Sequence, residues 1–498
     1  MSRVVVVGAG MGGLAAAARL AALGHDVTLC EQAEVAGGKL ARYARDGFVF
    51  DTGPSLLTLP AAYRDLFLKT GGPLEESVEL LPVDPAFTYR FADGATLPMP
   101  NVSRAAIRDA LATSLGKRAA EDWLALLAYA EQVWSDTRGP FLERPLAPAD
   151  LLRLSRDAGA LRRVAPWRTL RGLGEARLTD PRLRQVLDRY ATYTGSDPRR
   201  APGALVVIPI MEQAFGAWHV RGGVATLADA LHARVLERGA RVRLGTPVSR
   251  VTTSSGRVDG VQLADGGRLP ADIVVANADA SLVYGALLGE PPPPSAVRVA
   301  RRVQRATPSF GGFVLLLALR GRTPGLTHHT VTFPADYDAE FDAVFGGRPA
   351  ADPAVYVCAP DDPTMRPGED CEAWFVLVNA PRHEPGGDRG GMDWTAAGVA
   401  TAYAEHILEL LARRGMDVRH RLLWHEVRTP ADLARTTWAP GGRIYGAASH
   451  GPKASFLRPA NRSPVPGLFL VGGSSHPGGG LPLVALSAAI VADLVGAA

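Results

Sequence analysis

Gly8, Gly10, Gly13 and Glu31 are the residues whose types and spacing carry a definite chemistry. In G-x-G-x-x-G spacing, the first glycine permits a tight turn and the second lets the backbone approach a pyrophosphate. The third lets a helix pack closely on a strand. Free N–H groups and the positive dipole end of the following helix favour that anion. The Glu31 carboxylate stands where an adenosine ribose would donate its hydroxyl protons, and it disfavours a 2′-phosphate. The chemistry indicated is the binding of an adenine dinucleotide other than NADP.

These residues need a strand, a helix and a second strand to position them, and the sequence supplies all three. Four consecutive valines at 4–7 read as a fully buried parallel strand. An alanine-rich helix follows over 14–23, then a strand over 26–30 that ends at Glu31. Glycine-rich turns alone are common, whereas the whole strand–glycine–helix–strand–acid unit is specific. Gly37, Gly38 and Lys39 make the next loop a second anion-friendly turn, an arrangement that resembles FAD-binding proteins more than NAD dehydrogenases. Two further stretches supply α/β pattern. One runs over 216–284, with helix positions Leu227, Leu231, Val235 and Leu236 followed by strands at 241–244, 248–251 and 272–276. The other is a short buried strand at 467–471.

That last strand opens into the second strong signal. Five glycines and two prolines lie between Gly472 and Pro482, with His476 among them, ahead of a helix expected from about Val484. A backbone so stripped of side chains suits close approach to something flat, and the helix N-terminus suits an electron-rich group such as a flavin pyrimidine edge. An ordinary glycine loop with a surface histidine is the alternative reading.

Composition bounds the rest. The chain has 498 residues, 47% hydrophobic and 21% charged, with a formal net charge of +4. That length allows two or three domain-sized cores. The small positive balance, without a basic–aromatic recognition motif, gives no case for nucleic acid. Lysine occurs only at Lys39, Lys69, Lys117 and Lys453, the other cations being arginine. Cys30, Cys358 and Cys371 have no metal-like spacing and suit a reducing cytosol. The adjacent His328 and His329 would face opposite sides of a strand, so no metal is expected. The N-terminal glycines fit a dinucleotide turn better than a signal peptide, and no run of about eighteen apolar residues occurs.

Twelve arginines against five acids fall within 151–200, interleaved with Leu151, Leu152, Leu154 and Leu161. This reads either as a solvated helical face or as a surface that docks on anionic lipid headgroups. Gly172 and Gly174 do not form a second dinucleotide motif, since a third glycine and a preceding strand are lacking. Bound nicotinamide is therefore not expected as electron acceptor; oxygen or a membrane quinone is.

Several stretches together resemble the phytoene desaturase (carotenoid desaturase) family of the flavin amine oxidase superfamily. They are Asp51-Thr52-Gly53-Pro54-Ser55, Arg189-Tyr190-Ala191-Thr192-Tyr193-Thr194-Gly195, Trp218-His219-Val220-Arg221-Gly222-Gly223 and Ala276-Asn277-Ala278-Asp279. The others are His328-His329, Asp336-Tyr337-Asp338-Ala339-Glu340-Phe341, Arg458-Pro459-Ala460-Asn461 and His476-Pro477-Gly478-Gly479-Gly480. The stretch from Arg189 and the glycine tail resemble the branch acting on unsaturated or hydroxylated carotenoids, such as 3,4-desaturases. Enzymes oxidising terminal methyl groups are also close.

The resemblance implies an α/β fold with a Rossmann-like FAD-binding domain built from discontinuous segments (1–75, 216–285 and 426–498). It implies a mixed α+β substrate domain (76–95 and 286–425) and a helical, arginine-rich, membrane-facing insertion (96–215). By resemblance, Gly8, Gly10, Gly13, Glu31, Gly38, Lys39, Gly53, Pro54, Val248, Gly473 and Leu483 contact FAD. Lys39 stands where many members carry arginine, which keeps the charge without a bidentate phosphate contact. Leu483-Val484 replaces the Gly-Val of many phytoene desaturases. The implied reaction removes two hydrogens from a carotenoid, a hydride passing to flavin and a proton leaving the delocalised polyene cation. His476 is the candidate proton acceptor or flavin neighbour, or else only a backbone hydrogen-bonder. Arg221 and Asp51 are equally open to a structural role. The implied location is cytoplasmic, on the inner face of the cell membrane. A carotenoid isomerase or terminal-methyl oxygenase on the same fold, and a soluble flavin amine oxidase, are the alternatives. An amine oxidase needs an aromatic cage, and no tyrosine or tryptophan pair stands beside the tail glycines in sequence.

Overall fold

The computed structural model describes residues 1–387, 390–451 and 458–498; Lys453 lies outside the described residues, as do the side chains of Pro140, Pro148 and Leu151. Its organising element is a sheet of five parallel strands in the order Arg241–Arg243, Asp26–Cys30, Arg3–Val7, Ile273–Ala276 and Leu468–Leu470. The four valines show why its centre must be apolar on both sides. Val4 and Val6 point into a core shared with helices Met11–Ala22, Ala225–Glu237 and Leu481–Val495. Val5 and Val7 point into a second core with Val251, Val261 and Leu287. Alternation along a strand buried on both faces produces this division. In the helix over 225–237, Leu227, Leu231 and Val235 are buried as the spacing predicts, while Leu236 is exposed.

A seven-stranded sheet lies beside the first, in the order Leu422–Arg428, Gly311–Arg320, Cys371–Ala380, Val355–Cys358, His329–Thr332, Phe87–Arg90 and Thr96–Met99. Its neighbours pair antiparallel except His329–Thr332 against Phe87–Arg90. Phe313, Leu315 and Leu317 pack towards helix Val399–Arg413, and Val314 and Leu316 towards Phe48 and Phe50. Two expected boundaries cut this sheet. Thr96–Met99 pairs with Phe87–Arg90 across a turn at Asp93 and Gly94, so the chain does not leave the sheet at residue 95. Leu422–Arg428 is an edge strand of the same sheet, so residue 425 divides a strand rather than two domains.

Most of the chain between the Thr96–Met99 strand and residue 215 is helical. The long helix Lys117–Arg138 packs by Trp123, Leu126 and Leu127 on a core with Leu183, Leu187 and Ile210. Many of the arginines in 151–200 are neutralised inside the fold: Arg171 by Asp188 and Asp338, Arg182 by Asp180, and Arg199 by Asp197 and Asp342. Among the described residues no helix is long and apolar enough to cross a membrane.

Candidate dinucleotide and substrate site

The glycine motif turns between the first strand and helix Met11–Ala22, at the C-terminal end of the parallel sheet. A Cβ on Gly13 would lie 1.9 Å from the Gly8 carbonyl oxygen, so helix and strand touch where only glycine fits. Gly8 adopts a positive φ of 96°. Gly10 begins the helix, which has neither a side-chain cap nor an acid in its first turn. Its first N–H groups therefore remain available to an anion. Across from it, Gly38 approaches the Gly10 backbone so closely that a Cβ would sit 3.0 Å from the Gly10 Cα. The helix Leu481–Val495 likewise starts at a glycine, Gly480, without a side-chain cap.

Both helix starts open into one cavity of about 1110 Å³. Single small-molecule clefts are usually roughly 300–1,000 Å³, so this space exceeds what one ligand of ordinary size requires. Gly8, Gly10, Glu31, Gly38, Lys39, Gly53, Pro54, Val248, Gly473 and Leu483 all line it. Gly13 does not; it makes the close helix–strand contact beneath the cradle. Part of the wall is apolar, made by Val207, Ile208 and Met211 of helix Val207–Phe215 and by Val314, Phe375 and Leu377 of the seven-stranded sheet.

Glu31 is buried, with one carboxylate oxygen accepting from the Ala9 N–H at 2.6 Å and the other from the Ala33 N–H at 2.9 Å. Carboxylate oxygens have further lone pairs, so both stay open to ribose hydroxyls. Lys39 donates from Nζ to the carbonyls of Arg443 and Ile444, at 2.9 and 2.7 Å. Burial pulls its pKa down to about 8, against the opposing pull of Asp279. Its contribution at the cavity is mainly charge, since two of its three donors are occupied.

Several lining residues have a role that local spacing does not predict. Asn277 donates to the Gly8 carbonyl at 3.2 Å and crowds Gly10 and Gly12. Asp279 lines the cavity with Oδ2 buried and unpartnered. Arg458 reaches the carbonyls of Tyr445 and Gly473, each at 3.0 Å, and so ties the tail to the 445 segment. The Tyr445 ring rests on Gly479, where a Cβ would meet it at 2.6 Å. One tyrosine thus does reach the tail glycines, brought there by the fold rather than by the adjacent sequence.

Of the two readings open for His476, the geometry favours the backbone hydrogen-bonder. It is buried but absent from the cavity wall, and its Nε2 lies 3.0 Å from the Arg144 carbonyl oxygen. A carbonyl only accepts, so that nitrogen carries the proton. The His476 carbonyl in turn accepts from Asn461 and Ser487. The ring pins the tail to the helical segment and is not placed to take a proton from a ligand. Burial also lowers its pKa. His476→Ala is expected to cost about 1–3 kcal/mol of stability, the usual effect of orphaning a buried acceptor. The shape of the pH–rate profile between about pH 5 and 8 should match wild type; loss of one limb would restore a catalytic role.

Asp51 and Arg221 are structural. Asp51 accepts from the N–H groups of Val224 and Ala225 at the start of helix Ala225–Glu237, and Arg221 pairs with Glu79 at the surface.

The two adjacent histidines do not separate as expected. His328 precedes the strand that begins at His329, so strand alternation does not apply to it, and the rings lie 4.4 Å apart. With Cys358 on the paired strand, their ligand atoms fall within 4.8 Å of one another, and both histidine Nε2 atoms lack partners. Three donors are one short of the closed set of a structural zinc site. His329 instead stacks on Phe87 at 5.2 Å and hydrogen-bonds the Tyr356 hydroxyl at 2.8 Å.

Comparison with known proteins accords with this geometry. A model of the flavin-containing amine oxidoreductase family matches residues 11–322. The chain is 33% identical to the 4,4′-diapolycopene oxygenase of Methylomonas sp over 99% of this chain and 98% of that protein. It is 35% identical to the hydroxyneurosporene desaturase of Rubrivivax gelatinosus, over 99% and 92%. The chain belongs to the carotenoid desaturase family. Members of this family are FAD-dependent oxidoreductases, so membership implies the cofactor for which the glycine cradle, Glu31 and the two uncapped helix starts form a fitting site. An oxidoreductase from Methanosarcina mazei shares the fold, with a TM-score of 0.66 at 18% identity over 99% of this chain and all of that one. The shared fold thus covers 99% of this chain.

Proposed function

We propose that this carotenoid desaturase family member dehydrogenates a long, apolar carotenoid chain, with FAD held in the glycine cradle. The observation that carries the reading is the single cavity that joins the cradle to an apolar arm. When bound, FAD supplies the acceptor for the hydride removed from an allylic carbon. The chain's own part is alignment and exclusion of water. Val207, Ile208, Met211, Val314, Phe375 and Leu377 give the cavity an apolar lining on which a polyene is held. The glycine tail lets its reacting carbons come close to the ring system. Gly8, Gly10, Glu31 and Gly38 are assigned to the adenosine diphosphate half, and Gly473 and Leu483 to the flavin half. Lys39, Gly53, Pro54 and Val248 line the connecting region, where Asp279 offers a free acceptor.

The relatives act on different carotenoids by name, a diapolycopene in one case and a hydroxyneurosporene in another. Expression in bacteria that accumulate phytoene, neurosporene or lycopene separates the readings. A red-shifted pigment spectrum supports dehydrogenation. An unchanged chromophore length with altered cis/trans shape would support isomerisation, and no change with any polyene would refute both.

Substrate and a quinone acceptor dissolve in the membrane, and the helical segment offers a face towards it. Trp167 and Leu152 are exposed beside Arg153, Arg156, Arg162 and Arg168, which make no ion pair among the described residues. Val164 and Pro166, next to Trp167, line the cavity, so this face adjoins its wall. Apolar anchors with unpaired arginines are the elements of an interfacial contact with anionic lipid. The purified protein is expected to float with anionic liposomes at low salt, and Trp167→Glu together with Leu152→Glu to reduce flotation several-fold. Equal flotation of the two proteins would place the contact elsewhere.

A further inference from the structure

The apolar arm contains one polar cluster that the dehydrogenation step does not use. Arg189 lines the cavity and is 8% exposed. Its guanidinium carbon lies 4.8 Å from the ring centre of Phe87, 5.1 Å from that of Tyr193 and 5.8 Å from that of Tyr356. Among the described residues it makes one hydrogen bond, donating to the Tyr193 hydroxyl at 3.0 Å, and it has no ion pair. Glu212, 2% exposed and also on the wall, accepts from Tyr190 at 2.6 Å and from Tyr193 at 3.2 Å. Tyr193 therefore links cation and carboxylate, accepting from one and donating to the other.

Burying a guanidinium without a facing carboxylate is unfavourable unless its donors find acceptors. Aromatic faces satisfy the charge in part but leave N–H groups without an oxygen. Both phenol protons are directed to Glu212, so what the cluster presents to the cavity is donor capacity from Arg189. Glu212 balances the charge, which favours a neutral oxygen over an anion. A pure hydrocarbon in this position would leave the cation dehydrated and unpaired.

We propose that Arg189, supported by Tyr193 and Glu212, is a subsite for a neutral oxygen at one end of the polyene, so that the substrate is an oxygenated carotenoid rather than a hydrocarbon. This rests on the polyene reading above. Arg189 is the binding residue; Tyr193 and Glu212 position it.

The test is steady-state kinetics of the holoenzyme with two liposome-embedded polyenes of equal length and unsaturation, one ending in an alcohol and one without it. Sites that hydrogen-bond a substrate hydroxyl reject the analogue lacking it strongly, so wild type should favour the alcohol by at least about tenfold in kcat/KM. Arg189→Met should bring that ratio to within about threefold of one, chiefly through KM for the alcohol. Tyr193→Phe, which keeps the ring and removes the link, should lower it less. Where Arg189→Met fails to retain flavin, the wild-type ratio and Tyr193→Phe decide. Equal use of the two polyenes by wild type, or preference for the hydrocarbon, overturns the subsite and leaves the polyene reading standing. Conversion of neither overturns both.

Discussion

Gly13→Ala is expected to abolish flavin binding and to cost the fold more than about 3 kcal/mol. Overpacking a tight contact costs typically 1–3 kcal/mol, and more where nothing yields. Here the obstacle is the Gly8 backbone oxygen, 1.9 Å from the new Cβ, and a backbone carbonyl within the turn has no rotamer through which to retreat. Relief requires helix Met11–Ala22 to move off the strand, which displaces the N–H groups at Met11 and Gly12 from the cavity wall. Flavin absorbance per protein and thermal unfolding measure the two effects together. Gly139→Ala is a suitable control, because no atom lies within 4 Å of its Cβ position and its φ is ordinary. That variant should stay within about 0.5 kcal/mol of wild type. A yellow Gly13→Ala protein with unchanged melting would contradict the packing role.

The second large effect is expected at the other end of the cavity. Met211 sits on helix Val207–Phe215, half-buried, with its free side towards the apolar arm. Met211→Trp fills that arm without touching the glycine cradle. Flavin content should therefore hold while turnover of every polyene falls by about 10²-fold or more, the scale of loss when a substrate is misplaced by an ångström. Unchanged turnover would show that the substrate lies elsewhere.

The two ends of the site differ in how far the sequence reveals them. Roles acting within one turn of chain are readable: the Gly13 contact, the burial of Val4 to Val7 on two faces and the buried Glu31 carboxylate all follow from local spacing. Roles assembled across the fold are not. Asp279, Arg458 and Tyr445 reach the cavity from three separate stretches, and Arg189 becomes a cavity cation only because Phe87, Tyr193 and Tyr356, from two strands and the end of its own helix, surround it. His476 is ambiguous in sequence for a related reason. Its position among the tail glycines says which loop it belongs to but not which way its ring turns, and the Arg144 carbonyl turned it away. A hairpin turn at Asp93 and Gly94 carries the chain past residue 95 within one sheet, a pairing that local composition does not signal.

The central claim, that polyene oxidation and flavin reduction are one event, is tested most directly by anaerobic single turnover of the purified holoenzyme with liposome-embedded carotenoid. One flavin is expected to bleach for each double bond formed, with the polyene spectrum shifting to the red at the same rate. Spectral change of the polyene while the flavin stays oxidised would contradict it.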